Sequence, residues 1–347
     1  MRALLKNAAR PLLALLAFLR RENLLRLMAA IAALVLLGAA GLIVFEPNRS
    51  FPDALWWAIV TVTTVGFGDI APASLGGRLI GVVLMFFGIG MLGMFTATIA
   101  GVFVEKRLRK ERGMDSYDLA GHIILCEWND RTREILKDLR ADPRAAEAPI
   151  VLIADIETNP VADEQLFFVR GKLNEENLKR AGVEQAATVV MVGDRSLDYG
   201  PRDAKAVLSV LTVESLNPAV HSIVELASEE NVAHCERAGA DEIIVGAEFS
   251  SRVISTAALD HGISTVLREL LSAQVGHDLI TVPVPETFAG RTFFDLFSAL
   301  KREQGMIALA ILPHGGGNAV TNPDAETVVA ADDRLVVVAA NGRGGER

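Results

Sequence analysis

Thr63-Thr64-Val65-Gly66-Phe67-Gly68-Asp69 is the stretch around which the rest of this chain is organised. Its two glycines accept positive φ angles that a residue with a Cβ resists. Such a backbone can turn successive carbonyl oxygens toward one axis, and rings of oxygens replace the water around a dehydrated cation. The stretch therefore predicts a cation filter lined by the carbonyls of residues 64–68, to which the Thr64 hydroxyl adds a further ring of oxygens.

The flanking residues favour a filter over the alternative, a plain strand followed by a glycine turn. Residues 52–63 begin with Pro52 and Asp53, a helix-start signal, and continue with apolar and small residues, so we expect a helix that ends at the filter. Two apolar stretches, 24–45 and 79–104, are long enough to cross a bilayer as helices, which requires about 20 residues. The order of span, short helix, filter and span is that of a minimal pore.

The filter stretch resembles the signature sequence of tetrameric potassium channels, with Phe67 where tyrosine is more usual. The resemblance implies a homotetramer with K⁺ as the permeant ion. Trp56 and Trp57 resemble the aromatic cuff that braces the filter in that family. Val60 stands where some relatives carry a carboxylate that pairs with the acid after the filter, so Asp69 is expected to lack that partner.

Two glycines of the second span are candidates for a role in opening the pore. In the two-span channels that this region resembles, the inner helix bends at a glycine placed like Gly88, and a small residue placed like Gly93 lines the intracellular mouth. The alternative is that these glycines only allow close packing of helices. The resemblance therefore implies a hinge and a gate, with packing as the rival interpretation.

Composition agrees with a chain that is part membrane and part soluble: it is 51% hydrophobic and 22% charged, and its mean hydropathy is +0.33. Basic residues lie before the first span, in residues 1–23, and after the second, in residues 105–112, whereas the loop between the spans holds only Arg49 and Arg78. By the positive-inside rule we expect a multi-pass protein of the plasma (inner) membrane with both termini cytoplasmic. Residues 1–23 are expected to form an interfacial helix on anionic membrane lipids.

After a linker at residues 105–120, buried strands alternate with helices. This pattern predicts an α/β domain with a doubly wound, Rossmann-like parallel sheet at residues 121–246. A helical crossover segment is expected at residues 247–274, followed by a small α+β lobe at residues 275–340. The predicted fold is thus an α-helical two-span pore joined to a cytosolic α/β domain.

The α/β block resembles the RCK (regulator of potassium conductance) domain, also called KTN, over essentially its whole length. The most telling segments are Phe168-Val169-Arg170-Gly171 and Arg237-Ala238-Gly239-Ala240-Asp241-Glu242-Ile243-Ile244. The resemblance implies domains that clasp in pairs through residues 247–274 and a gating ring of eight such domains. Four chains carry only four RCK domains. Separately made soluble RCK subunits, produced from an internal start at Met114, are one way to complete an octameric ring.

An adenine nucleotide (ADP, ATP or NAD) is one candidate ligand. Dinucleotide folds normally offer G-x-G-x-x-G after the first strand, but here that turn reads Cys126-Glu127-Trp128-Asn129-Asp130-Arg131-Thr132, and Glu127 would repel a phosphate. Asp155 matches the acid that binds ribose hydroxyls, and Arg131 or Arg195 is placed to meet a phosphate. The candidate nucleotide-binding residues are Asn129, Arg131, Asp155, Gly171 and Arg195. The alternative is a nucleotide fold that serves only as a scaffold.

Ca²⁺ or another divalent cation is the second candidate ligand. In the calcium-gated relatives that the domain resembles, an E-x-E pair follows the strand that matches residues 222–225; here Glu225 remains and Ala227 takes the second position. Calcium needs several oxygen ligands at one place, so Glu225 requires help from nearby acids. Candidates for that help, which are otherwise solvated surface charges, are Asp194, Asp198, Asp203, Glu229 and Glu230.

Together these features predict a potassium-selective channel, not an enzyme, that conducts passively and is gated by a ligand of its cytosolic RCK ring. A membrane-anchored dinucleotide-binding oxidoreductase is a rival, but it does not explain the filter. A regulatory subunit of a potassium transporter is another, although such subunits are usually soluble. The net charge of −9 argues against nucleic acid as a partner, and Cys126 and Cys235 suggest no disulfide framework.

Overall fold

The computed structural model describes residues 24–272, 276–315 and 318–340. The chain divides into two compact units between Arg109 and Lys110. The predicted interfacial helix at residues 1–23 lies outside the described residues, as do residues 273 and 274 of the predicted crossover segment.

In the part of the first unit that the structure describes, from residue 24 onward, there are three helices: α1 (Leu24–Phe45), α2 (Phe51–Val62) and α3 (Leu75–Glu111). By length and composition, α1 and α3 are suited to cross a membrane. Helix α2 begins where Ser50 caps it, because the Ser50 hydroxyl accepts a hydrogen bond from the Asp53 amide. Helix α3 runs past both ends of the predicted span at 79–104, and it includes most of the basic cluster, whose Lys, Arg and Glu residues favour a helix.

Small residues let the helices of the first unit approach closely. A Cβ on Gly38 would lie 2.6 Å from Leu84 Cδ1, and a Cβ on Gly41 would lie 3.1 Å from Ile80 Cδ1. Leu84 is consequently 1% exposed and joins a cluster that also contains buried side chains of α1 and α2. Helix packing in a membrane depends on such close contacts, because lipid tails are as apolar as leucine.

Glu46 joins the end of α1 to the start of α3. Its Oε1 accepts hydrogen bonds from the backbone amides of Ala73, at 2.6 Å, and Ser74, at 3.0 Å. The hydrogen bond from the Ser74 amide is the main cause that lowers the pKa of the Glu46 carboxyl. The carboxylate thereby supplies acceptors for backbone donors just before α3 begins.

The second unit contains the doubly wound sheet that the alternation predicted, and this fold class is confirmed. Six parallel strands lie in the order β3-β2-β1-β4-β5-β6. The strands are β1 (Ile123–Cys126), β2 (Ile150–Ala154), β3 (Leu166–Arg170), β4 (Thr188–Met191), β5 (His221–Leu226) and β6 (Glu242–Val245). The helices are α4 (Asp130–Ala141), α5 (Glu175–Arg180), α6 (Tyr199–Leu216) and α7 (Val232–Ala238). Every residue of β2 is buried, as expected for a strand covered on both faces.

After β6, two helices lead to a small antiparallel sheet with a third helix packed on it. Helices α8 (Gly246–Leu259) and α9 (Ile263–Leu270) are separated at Gly262, whose φ of +98° favours glycine. A four-stranded antiparallel sheet follows in the order β7-β10-β8-β9, with helix α10 (Phe293–Ala299) packed on it. Its strands are β7 (His277–Pro283), β8 (Ile307–Leu312), β9 (Val320–Thr321) and β10 (Arg334–Ala340).

The strand order places a crevice beyond the carboxyl ends of β1 and β4. In doubly wound sheets ligands bind at this point, where neighbouring strands send their connections to opposite sides. The turn after β1, residues 127–129, and the loop after β4, residues 192–198, lie at these ends. The fold therefore brings most of the predicted ligand residues to one edge of the sheet.

Candidate functional site

The backbone of the filter stretch alternates in handedness. Thr64, Gly66 and Gly68 have φ angles of +61°, +56° and +76°, whereas Val65 and Phe67 between them do not have positive φ. Alternation of this kind turns the amide N–H groups to one side of the chain and the carbonyl oxygens to the other. Thr64 is β-branched, and a positive φ costs such a residue on the order of 1–3 kcal/mol, a strain that is typical of functional sites.

The carboxyl end of α2 holds the start of this stretch. The Val60 carbonyl accepts hydrogen bonds from the amides of Val65, at 3.1 Å, and Gly66, at 3.3 Å, and the Thr64 amide donates to the Thr61 carbonyl at 3.1 Å. The end of a helix carries a partial negative charge from its unpaired carbonyls. Helix α2 therefore both positions the stretch and makes its surroundings favourable for a cation.

Trp56 braces the other end of the stretch. Its ring stacks on Phe67 with centroids 5.8 Å apart and planes inclined by 8°. Its Nε1 donates a hydrogen bond to Asp69 Oδ2 at 2.9 Å. Val60 offers no carboxylate, as expected, and the partner of Asp69 is this indole, a pairing that sequence reasoning missed because it requires the chain after Gly68 to fold back onto α2.

The two candidate gating glycines have different surroundings. Gly88 is buried, and a Cβ there would lie 3.2 Å from Val62 Cα, so this glycine allows close packing of α3 on α2. A Cβ on Gly93 would meet nothing within 4 Å. Helix α3 is continuous through both positions. The packing interpretation thus has a physical basis at Gly88 that it lacks at Gly93.

In the crevice of the second unit, Lys205 lies between two carboxylates. Its Nζ donates to Glu127 Oε1 and, at 2.9 Å, to Asp194 Oδ2. Burial alone would raise the pKa of Asp194, but hydrogen bonds from Ser196 and Lys205 outweigh burial and lower it to about 2. For Lys205, burial lowers the pKa of the ammonium group. Hydrogen bonds and charge attraction from Glu127 and Asp194 outweigh burial, so the pKa of Lys205 is raised overall. This ion cluster occupies the turn where a dinucleotide fold normally receives phosphate.

A second ion pair gathers three of the predicted ligand residues. Arg131 Nη1 is paired with Glu225 Oε1, and Glu225 Oε2 accepts a hydrogen bond from the Gly193 amide at 3.2 Å. Asn129 caps α4 by accepting from the Arg131 amide at 3.0 Å, and its Nδ2 donates to the Gly193 carbonyl at 3.2 Å. The predicted phosphate partner, Arg131, and the predicted calcium ligand, Glu225, therefore neutralise each other.

The remaining candidates lie outside these two ion-pair clusters. Asp155 and Arg195 are exposed, and the Gly171 amide donates to the Ala154 carbonyl at 2.9 Å where β2 and β3 end. Asp203 is fully buried and accepts hydrogen bonds from the Ala227 and Ser228 amides, at 2.8 and 3.0 Å, so it caps the chain after β5.

Across residues 24–272, 276–315 and 318–340, no group of three or more His, Cys, Asp or Glu side chains is placed to hold a metal ion. Sequence reasoning missed Lys205, because nothing in its local pattern shows that α6 faces the turn after β1.

Comparisons with known proteins agree with this description. Residues 30–105 match the ion channel family, and residues 118–224 match the calcium-activated potassium channel slowpoke-like RCK domain. The chain is 34% identical over 301 residues to the calcium-gated potassium channel TvoK of Thermoplasma volcanium. This alignment covers 86% of this chain and 84% of TvoK. It is also 34% identical over 242 residues to the putative potassium channel protein YugO of Bacillus subtilis, covering 69% of this chain and 73% of YugO.

A solved structure, the GsuK channel bound to NAD, matches 92% of this chain with a TM-score of 0.46 and 21% sequence identity, and this chain covers 57% of the GsuK chain.

The fold and the sequence matches define an ion channel whose pore region is followed by a dinucleotide-type regulatory domain. More particularly, the chain belongs to the two-transmembrane potassium channels that carry an RCK domain and are gated by ligands. The prediction of a potassium channel with an RCK gating domain is confirmed, with K⁺ as the permeant ion. The relatives named above are ion channels, which disfavours the oxidoreductase interpretation, and the pore in this chain disfavours that of a soluble regulatory subunit.

We expect Trp56→Phe to weaken the filter brace, because phenylalanine keeps a ring against Phe67 but has no N–H for Asp69. Records of single channels should show more frequent closures at an unchanged unitary current. Asp69→Ala, which removes the acceptor, should do the same, and the double variant should be no worse than either single variant. Full additivity of the two effects would contradict a shared interaction.

Proposed function

We propose that four copies of this chain form one potassium-selective channel, with the backbone oxygens of Thr64 to Gly68 from each copy lining a single path. The alternating φ angles are the observation that carries this proposal. One chain supplies oxygens on one side only, and a closed coordination ring requires rotational symmetry. The exposure of Val65 and Phe67, at 55% and 65%, supports neighbouring copies that cover them.

The same proposal sets the orientation in the membrane. Helices α1 and α3 span the plasma (inner) membrane, α2 and the filter enter from outside, and both termini are cytoplasmic. The support is the charge distribution: residues 46–78 carry only two basic side chains, Arg49 and Arg78, whereas residues 105–112 are rich in lysine and arginine. Potassium then flows passively down its electrochemical gradient.

Gating by a divalent cation, an adenine nucleotide, or both follows from the chemistry of the crevice. A divalent cation would compete with Arg131 for Glu225, and a phosphate would compete with Glu225 for Arg131. Either ligand would therefore exchange an existing ion pair for a new one. A ligand opens the pore only to the extent that it binds the open form more tightly. The name of TvoK, a calcium-gated channel, supports the divalent cation.

Pairing of RCK domains through residues 247–274 belongs to the same proposal. Phe249, Ile254 and Leu259 on α8 are 55%, 69% and 84% exposed, and Val266 on α9 is 51% exposed. Apolar side chains on adjacent helices are suited to bury each other in a second copy. Soluble RCK subunits begun at Met114 would complete a ring of eight domains around the four domains of the channel.

Liposomes that contain the purified chain should take up potassium or rubidium far faster than sodium. Gly66→Ala should abolish this uptake, because an alanine at a φ of +56° costs roughly 1–2 kcal/mol in each of four copies. Gly200→Ala is the matched control, since a Cβ there meets nothing within 4 Å. Equal uptake of sodium and potassium by the unmodified chain would contradict the proposal.

Two substitutions separate the candidate ligands. We expect Glu225→Gln to remove the response of open probability to Ca²⁺, because it removes the carboxylate charge, and to leave the binding of ADP and NAD measurable. Asp155→Ala should weaken nucleotide binding at least tenfold in a calorimetric titration and leave the Ca²⁺ response unchanged. If both variants retain both responses, neither residue is part of the ligand site.

The hinge proposed at Gly88 and the gate proposed at Gly93 are tested by alanine at each position. We expect Gly93→Ala to lower the open probability without a change in ion selectivity, because the added methyl group stiffens the helix and touches nothing. Gly88→Ala should lower the open probability as well, but it also crowds Val62. An unchanged open probability in Gly88→Ala would contradict the hinge, and an unchanged one in Gly93→Ala would contradict the gate.

A further inference from the structure

The turn after β1 carries a glutamate in a backbone conformation that favours glycine. Glu127 has a φ of +72° and is one of three non-glycine residues with positive φ among those that the structure describes, with Thr64 and Asn322. Its amide donates a hydrogen bond to the Ile153 carbonyl at 2.9 Å, which fixes the turn against β2. A left-handed backbone is costly at a residue with a Cβ, and it persists only where the surroundings hold it.

Glu127 also stands where a dinucleotide-binding turn has its first glycine. The G-x-G-x-x-G pattern begins directly after the first strand, so its three glycines fall on Glu127, Asn129 and Thr132. In such a turn the second glycine lets the backbone approach a pyrophosphate, and amides at the start of the helix bind it. The backbone at residue 127 therefore keeps a conformation that suits glycine, but it carries a carboxylate.

Amides that would receive a phosphate at the start of α4 are already bonded within the chain. Asn129 Oδ1 accepts hydrogen bonds from the amides of Arg131, at 3.0 Å, and Thr132, at 3.1 Å. Thr132 is fully buried. A side-chain cap of this kind satisfies the donors that a dinucleotide fold leaves for its ligand. The attraction for a phosphate must therefore come from charged side chains of the crevice.

Lys205 is a cation at this place, and Glu127 occupies it. The Lys205 ammonium donates to Glu127 Oε1 and, at 2.9 Å, to Asp194 Oδ2. Two carboxylates around one ammonium give the group a net charge of −1, which repels an incoming phosphate. The cavity beside these side chains has a volume of about 20 Å³, enough for about one water molecule. A phosphate therefore reaches Lys205 only when Glu127 leaves it.

We propose that Glu127 is a specificity-determining residue of this crevice: its carboxylate takes the place of a ligand phosphate on Lys205, and adenine nucleotides bind only in competition with it. This inference rests on the proposed function, gating by a ligand of the crevice. The competition acts on phosphates, because a phosphate and the Glu127 carboxylate share the sign of their charge and the same partner. The ion pair with Lys205 also offsets the cost of the positive φ at Glu127.

Glu127→Gly tests the competition in the purified full-length chain, with ADP and adenosine as probes. Glycine adopts a φ of +72° without strain and removes the carboxylate, so ADP should bind roughly tenfold more tightly, or better, in a calorimetric titration. Adenosine has no phosphate, and its affinity should change less than threefold. An unchanged affinity for ADP, or an equal gain for adenosine, would overturn the proposal.

Three further variants separate charge from backbone strain. Glu127→Gln removes the charge and keeps the side-chain length, so it should tighten ADP binding at least threefold. Asn322→Gly relieves a φ of +49° just after β9, outside the crevice, and should leave the affinity for ADP unchanged. Lys205→Gln added to Glu127→Gly should cancel the gain, because the phosphate then lacks its cation. A gain in Asn322→Gly, no gain in Glu127→Gln, or a gain that survives the loss of Lys205 would contradict competition.

The open probability in planar bilayers, recorded with and without ADP, separates this inference from the proposed function. Tighter ADP binding in Glu127→Gly, with no response of either chain to ADP, supports the competition and rejects gating by adenine nucleotides. A response of the unmodified chain to ADP, with equal affinities in the two chains, rejects the competition and leaves that gating standing. If neither chain binds ADP, the competition is overturned, and gating by a divalent cation is unaffected.

Discussion

In the filter that we propose, removing water from a cation demands that several oxygens point at one place, and the backbone conformation of residues 64–68 suits this demand. Positive φ angles at alternate residues turn the carbonyls to one side, which is inexpensive at Gly66 and Gly68 and strained at Thr64. The strain persists because its surroundings hold it: Val60 at the end of α2 binds the entry to the segment, and Trp56 holds Phe67 and Asp69. The helices of the first unit therefore serve mainly to support this short segment.

In the regulatory domain, paired charged side chains occupy the crevice at the edge of the sheet. Lys205 joins Glu127 and Asp194, and Arg131 joins Glu225, at the edge where doubly wound folds bind ligands. Partly buried charges are costly unless they are paired, so these residues stabilise one another in the absence of a ligand. A ligand that binds here must compensate for the pair that it breaks. This exchange limits affinity and makes binding sensitive to the shape of the domain.

Within the second unit, the segment that follows α3 is held against β3 by backbone groups more than by side chains. Gly113 brings the chain against β3 at a distance that no other residue permits, and Arg180 fixes two carbonyls with one side chain. Backbone hydrogen bonds keep direction and length better than long side chains do, which lose rotamer freedom when they are ordered.

Local sequence patterns were enough to predict the elements: the apolar lengths of α1 and α3, the start signal of α2, the glycine pattern of the proposed filter and the strand–helix alternation of the sheet. These follow from local rules of hydrophobic length, capping and φ preference, which residues close in sequence obey together. The folded chain was needed to show that Trp56 pairs with Asp69, that Arg131 and Lys205 neutralise the acidic crevice, and that the apparent linker is bound to β3. Each of these contacts joins residues that are distant in the chain or turned by a loop, and side-chain type does not reveal which partner the folded backbone brings within reach.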